Sequence, residues 1–437
     1  MIRHLIEISV LTQKSRNMKS FLKVALLPFL VSVLAALLFL LVAIIPQEAI
    51  QKNAQSTVKQ LLSHSQWEVA LNKSDPTYTF DLYTDSIIMM ESYNLNTEDI
   101  SSIFKNPMHT SEANEWNAAM AMDEVVNGDA QNERSYTRYW MGFRMIVRPL
   151  LLIADYYTIR KIVASVFFIL FALTTALIAK KKGIKIALCF AVPIALMNPA
   201  IISYSLQFSC DFILAFIFIV FVLITDGKKI SIPVMFCAFG VLTQFFDFYT
   251  TPLITYALPL IVLLTLEEYK NKRWKTTLVS LATWLYGYAS MWIVKMLCTT
   301  LFTDKNGFKE AFNSFAGRVG ITKAAGLEEK YDSVEALRLV YNNIFVDTTG
   351  NIIFLAIVIV SVTAVVISFL TNSRKEFFSQ TVFIFIAALP LCWFAVAAQP
   401  TVIHYWFQYR TVVATFASLF VYLVYAYSKA PRIIKRK

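Results

Sequence analysis

Apolar runs of membrane-helix length, each closed off by charged residues, recur from one end of this chain to the other. The first covers 24–45 (VALLPFLVSVLAALLFLLVAII), and others lie near 162–179, 186–204, 211–225, 230–246, 252–266, 276–302, 351–370, 378–398 and 411–428. A hydrocarbon layer about 30 Å thick takes ~20 helical residues to cross. The pattern therefore predicts an all-α polytopic membrane protein, a helical bundle of about ten transmembrane helices. The first run follows Arg3, Lys14, Arg16, Lys19 and Lys23. It is too long for a signal peptide and lacks a small-residue cleavage site, so it reads as a retained anchor. Two intervening segments, 46–160 and 303–350, are too long to be connectors and read as external insertions on a single membrane-embedded domain spanning 1–437.

Composition agrees with the pattern: 57% of the 437 residues are hydrophobic and the mean hydropathy is +0.56. The net charge of +11 could suggest nucleic acid, but the location of the bases argues otherwise. They concentrate in 1–23, KKKGIK (180–185), DGKK (226–229), EEYKNKRWK (267–275), NSRKE (372–376) and SKAPRIIKRK (428–437), where the only acids are Glu7, Asp226, Glu267, Glu268 and Glu376. Cytoplasmic segments retain Lys and Arg, so both termini and all six segments are expected inside. The remaining, outward portion is then net acidic, and nucleic acid is not an expected partner.

The five cysteines sit in or beside apolar runs and imply no disulfide framework. His4, His64, His109 and His404 are scattered and lack zinc spacing. No Walker loop, dinucleotide fingerprint, GxSxG elbow or HExxH occurs.

The chemistry gathers on the outward side. In the first long loop, QEAIQKNAQSTVKQLLSHS and SEANEWNAAMAMDEVVNG carry helical signals, and TFDLYTDSIIMMESY puts Asp81 and Asp85 on one face of a third helix. Two such carboxylates can share a proton, hold a divalent cation or supply a general base, or can simply form a solvated turn or helix cap. The loop ends in RYWMGFRMIVRPLLLIADYYTIRK, where Arg138, Arg144 and Arg148 with Tyr139 and Trp140 suit either phosphate recognition or headgroup anchoring by an interfacial helix. Asp211, Gln244, Asp247, His404 and Arg410 mark the outer ends of later spans. Lys295 lies inside an apolar run, where a charge needs a partner or a cavity, with Asp247 as the expected partner. Arg318, in the second long loop, reads equally as a binding or a solvated residue.

The segments FDLYTDSIIMM, RYWMGFRMIVRPLL, GVLTQFFDFYTTPLITYALPL, WLYGYASMWIVK and HYWFQYRT together resemble the GT-C class of bacterial membrane glycosyltransferases, which use polyprenyl-phosphate-linked sugars. The resemblance implies a GT-C-like bundle in the bacterial plasma membrane with an external active site. It implies an inverting transfer to an envelope glycan or lipid acceptor, with Asp81 or Asp85 as general base and the other positioning the acceptor or a metal. Arg138, Arg144, Arg148, Lys295 and Arg410 would then face the donor phosphate, and Tyr139, Trp140, Gln244, Asp247, Arg318 and His404 would line the substrate site. Some members of the class use a divalent cation such as Mg or Mn, and no ligand set here decides the matter. This chain differs from many members in having fewer spans and no soluble C-terminal domain. Two other classes stand beside this expectation: a transporter or flippase of a lipid-linked or anionic substrate, and an assembly or scaffold subunit.

Overall fold

The computed structural model describes residues 2–70, 75–95, 101–228, 230–318, 321–322 and 331–428, with residues 2–17, 107 and 135 described by backbone alone. Lys229, the basic segment 429–437 and the side chains of the basic N-terminal segment up to Arg16 lie outside the described residues.

α1 (Ile2–Ala43) leads into a helical insertion of α2 (Gln47–Leu62), α3 (Leu82–Tyr93), α4 (Ser102–Lys105), α5 (Ala118–Asn127) and α6 (Arg144–Leu150). The bundle continues through α7 (Tyr156–Lys182), α8 (Ile184–Ala195), α9 (Pro199–Ser203), α10 (Leu206–Thr225), α11 (Ile232–Phe246), α12 (Leu253–Leu264) and α13 (Arg273–Phe302). A second insertion holds α14 (Gly307–Arg318) and α15 (Ser333–Ile344), and α16 (Thr348–Thr371), α17 (Arg374–Gln380), α18 (Val382–Val396), α19 (Ala398–Gln408) and α20 (Val413–Tyr427) complete the chain. A short antiparallel ribbon, β1 (Pro107–Thr110) with β2 (Asn132–Ser135), sits in the first insertion. It was not expected, because four-residue strands carry too little alternation to register as a pattern.

The chain is an all-α polytopic membrane protein. Among the described residues seven helical stretches are long and apolar enough to cross a membrane, and three shorter apolar helices (α8, α11 and α12) accompany them. Together they fall on the apolar runs of the sequence. α16 is exposed along most of its length, as a lipid-facing helix is, and only Ala364 and Ser368 are buried. α12 is the opposite: every one of its residues is buried. At 1.5 Å per residue α12 rises only ~18 Å, short of the hydrocarbon thickness. A short helix is tolerable there because protein, not lipid, surrounds its ends.

Local signals set these boundaries. Asp81, Asn117, Asp155, Asp332 and Asp347 cap α3, α5, α7, α15 and α16 through their side chains, satisfying amide N–H groups that a helix start leaves free. The expected run 186–204 is broken between α8 and α9, where Asn198 adopts φ 53 before Pro199. α19 is kinked at His404 (φ −119, ψ 18).

The tightest helix pair is α11 with α13. A Cβ on Gly240 would stand 2.1 Å from the Trp284 carbonyl oxygen, and one on Gly287 would stand 2.2 Å from that of Cys237. Small residues at such a crossing let two backbones approach within a membrane. Gly240→Ala is expected to force the helices apart and destabilise the protein by about 3 kcal/mol, read as a lowered unfolding temperature in detergent. An unchanged temperature would show that the pair is not packed in this way.

The ends of the bundle differ in character. At one end short basic turns pair with each other, as in Lys181 with Asp226 (2.7 Å) and Lys228 and Lys272 with Glu268 (3.5 and 3.4 Å). At the other end the two insertions meet: the Thr137 hydroxyl donates to the Glu310 carboxylate, and Arg318 Nη2 donates to the Tyr139 hydroxyl at 3.2 Å.

Candidate functional site

α11 stops shortly beyond its contact with α13, while α13 continues to Phe302, so the turn joining α11 to α12 lies roughly 13 Å below the tip of α13. This recessed turn, DFYTTP (247–252), is the polar centre of the insertion end. Asp247 Oδ1 accepts from the Thr250 amide at 2.8 Å, and its Oδ2 accepts from the Tyr288 hydroxyl at 3.3 Å. Asp211 Oδ2 accepts from the amide and hydroxyl of Thr251 at 2.9 and 3.0 Å. Gln207, one turn before Asp211 on α10, donates to the Thr250 hydroxyl at 3.1 Å. Between them Tyr249 holds φ 60, a left-handed conformation that costs a non-glycine residue about 1–2 kcal/mol.

An arginine and tyrosine cluster covers the turn. The Tyr249 hydroxyl accepts from Gln244 Nε2 at 3.2 Å and donates to the Arg138 carbonyl at 3.3 Å. The Arg318 guanidinium lies 4.3 Å from the centre of the Tyr249 ring, and Arg138 lies 4.3 Å from Tyr136 and 5.1 Å from Tyr139. His404, at the kink in α19, is within range of the Arg318 charge. The structure thus brings together Arg138, Tyr139, Gln244, Asp247, Arg318 and His404, contributed by both insertions and the ends of two spans. Arg318 is a packed residue, not a solvated one.

The two loop carboxylates flank this cluster and are held differently. Asp81 caps α3, its oxygens accepting from the Thr84 amide (2.9 Å) and hydroxyl (2.7 Å). The cap reading of the sequence is met, but the residue is buried, not solvated. Burial pushes its carboxyl up to about 6, against the lowering by those two bonds. Asp85 accepts from the Tyr156 hydroxyl at 2.8 Å and from the Leu206 amide at 3.1 Å, so it ties α3 to α7 and to the start of α10. Burial raises it to about 7, more than the Arg160 charge and the Tyr156 bond lower it. Beside Asp81, Tyr83 stacks on the exposed Trp67 at 5.9 Å, an aromatic platform that the sequence pattern did not single out.

No family model, curated protein or solved structure matches this chain. The site is therefore read from its own geometry.

Four of the expected phosphate ligands lie elsewhere. Arg148 and Arg144 share one face of α6, and that face turns into the protein while Ile146 and Ile153 point outward. Arg148 donates to the carbonyls of Val42 (3.0 Å), Ser92 (2.9 Å), Tyr93 (2.6 Å) and Ile45 (2.5 Å). It stitches the ends of α1 and α3 together and does not reach lipid phosphates. Arg144 donates to the Ile103 carbonyl at 3.0 Å and lies 3.6 Å from Glu91. Lys295 donates to the Phe104 carbonyl at 2.6 Å, within the field of Arg144 and Glu91. Its expected partner, Asp247, meets Tyr288 instead, because Lys295 lies seven residues, roughly 10 Å, further along α13. Trp140 donates to the Met291 carbonyl at 2.8 Å and packs as a wall beside this knot. Arg410 too is buried away from the rim, against Phe208 at 4.7 Å, with Nη2 donating to the Thr77 carbonyl at 3.1 Å and Tyr409 beside the guanidinium.

Glu91 was not foreseen, since it reads as one acid among many on a loop helix. It is fully buried, and neither carboxylate oxygen accepts a hydrogen bond. Burial raises it to about 7, against the lowering by Arg144 and Lys295. The folded state therefore holds this proton more tightly than the unfolded chain does. That contribution to stability is complete below pH ~4.5 and is lost as the pH rises through ~7. The unfolding temperature is expected to fall between pH 5 and 7.5, and Glu91→Gln to make the fall shallower, Asp81 and Asp85 sustaining the rest. Identical pH profiles for the two proteins would contradict this.

Among the described residues no group of three His, Cys, Asp or Glu side chains is placed to hold a metal ion. Asp211 and Asp247 neighbour each other without a third His, Cys, Asp or Glu beside them among the described residues.

Proposed function

We propose that this chain is a GT-C-type membrane glycosyltransferase that passes a sugar, with inversion, from a polyprenyl-phosphate donor to an envelope glycan or lipid acceptor at the outer face of a bacterial plasma membrane. The observation that carries the reading is the convergence of both insertions over one recessed polar turn. Arg138 and Arg318 stand at its rim, and the buried Asp81 and Asp85 flank it. A site of this kind suits a substrate with an apolar tail in lipid, a phosphate at the rim and a polar head in the recess.

Asp81 is the general base of choice. Thr84 alone holds it, whereas Asp85 is committed to two other helices. Asp81 takes the proton of the acceptor hydroxyl as that oxygen bonds to the anomeric carbon. The bond from that carbon to the phosphate oxygen breaks, and the electron pair leaves on polyprenyl phosphate. Charge growing there is met by Arg138 and Arg318. Arg144, Arg148 and Lys295 shape the site from behind.

The test is reconstitution in nanodiscs with short-chain prenyl phosphates carrying glucose, galactose, mannose or N-acetylglucosamine. One donor is expected to release prenyl phosphate faster than in empty nanodiscs, with the sugar recovered on an added acceptor. No release from any of them would count against the reading. Transport is the second reading, favoured by the broken α8–α9 helix and the kink at His404, since interrupted helices mark substrate sites in transporters. Movement of the lipid across vesicles without a covalent product would favour it.

A further inference from the structure

Two glutamines beside the recessed turn each present a buried acceptor oxygen that receives no hydrogen bond. They are Gln207 Oε1 and Gln244 Oε1, and the two residues are 7% and 0% exposed. Their amide nitrogens are engaged, with Thr250 and Tyr249 respectively, so each side chain is held in place with its oxygen left over. Gln207 and Asp211 are four residues apart on α10 and share a face. An unpaired buried acceptor costs about 1–3 kcal/mol, and two around one turn, beside a strained Tyr249, mark a place built for something that donates. Asp211, which holds Thr251 through Oδ2, shares a hydrogen-bonded proton with Asp247 there, and the stacked pair of Trp284 and Tyr288, ring centres 5.1 Å apart, lies alongside.

We infer that Gln207, Asp211 and Gln244 form the pocket for the hydroxyl groups of the transferred sugar, with the Tyr249 and Tyr288 rings beside its carbon face. The inference rests on the lipid-linked-sugar reading and deepens it. A hydroxyl-rich ring matches the two glutamine acceptors and the carboxyl pair beside them. A phosphate does not match them, because it brings acceptors of its own. The anion is thereby directed to the arginines at the rim and the sugar to the recess beneath.

Full-length protein in nanodiscs is titrated with bare short-chain prenyl phosphate and with the same lipid carrying each of the four sugars. The preferred sugar-bearing lipid is expected to bind at least ~10-fold tighter than the bare one, since one net hydrogen bond is worth up to about tenfold. Asp211→Asn keeps an acceptor for Thr251 while turning the oxygen that faces Asp247 into an NH2. Gln207→Met and Gln244→Met remove the other oxygens at nearly constant volume. Each is expected to cut the ratio of the two affinities about tenfold while leaving bare prenyl phosphate binding within about twofold. The ratio is insensitive to general loss of folded protein, and the two Gln variants carry the test if Asp211→Asn does not fold. A ratio near one in the wild type, or one that survives in all three variants, overturns the sugar pocket and leaves the lipid-phosphate reading standing. Failure to bind prenyl phosphate in any form overturns both. Thermal stabilisation by sodium ions that the same variants abolish would assign the oxygens to a cation and overturn the pocket.

Discussion

Asp81→Asn is expected to lower sugar transfer by about 10²–10⁴-fold, the usual contribution of a positioned general base, with little change in folding. Asn is as good a helix cap as Asp, and its carbonyl oxygen still accepts from the Thr84 amide that Asp81 holds at 2.9 Å. The pH profile separates catalysis from structure. Burial holds the Asp81 carboxyl at about 6, so turnover in the wild type should rise as the pH passes through 6 and level off above 7. The residual rate of the Asn variant should lack that limb. Asp85→Asn is expected to cost less, because its carboxylate bonds to Tyr156 and the Leu206 amide and is spent on holding α7 and α10. A full loss with Asp85→Asn and near-normal rates with Asp81→Asn would exchange the two roles.

The second large effect falls on stability. Arg148→Ala removes the donors to the carbonyls of Val42, Ile45, Ser92 and Tyr93 at once. Each buried carbonyl left unpartnered costs about 1–3 kcal/mol, partly recovered by water, so a loss of about 4 kcal/mol is expected. It would appear as a lower unfolding temperature and poor recovery of folded protein from detergent. Arg148→Lys should recover only part, since one ammonium cannot span four carbonyls on two helix ends. If instead Arg148→Ala protein were as stable as the wild type and simply bound prenyl phosphate more weakly, the arginine would belong to the phosphate site after all.

Arg148 also shows where inference from spacing stops. Arg144 and Arg148 four residues apart in an aromatic-rich segment are equally compatible with a phosphate clamp, headgroup anchors or an internal cross-brace. The choice depends on which way a seven-residue helix rolls when it docks. α6 turns Ile146 outward, so both guanidinium groups go inward. Glu91 was invisible for the same reason, since nothing in MMESYN distinguishes a buried acid from a solvated one until α1, α6 and α13 close around it. Lys295 was recognised as a residue in need of a partner, but its partner was misplaced by the rise between Tyr288 and Lys295 along α13.

The apolar runs and their charged ends were legible in one dimension because each depends on neighbours within a turn or two. Of the helix caps the pattern offers only Asp81, and the α8–α9 break at Asn198 falls inside a run that reads as continuous. The α11–α12 turn illustrates what was not. Gln244 and Asp247 could be placed at the end of a span, yet nothing local says that the span stops short. Nor does it say that Gln207 and Asp211 from α10 close on the turn, or that Arg318 arrives from the second insertion to cover Tyr249. Those contacts join residues far apart in the chain, and only the packing of α10, α11 and α13 against the two insertions selects them. Local periodicity thus settled which segments are helices, and long-range packing decided which polar atoms share a buried pocket.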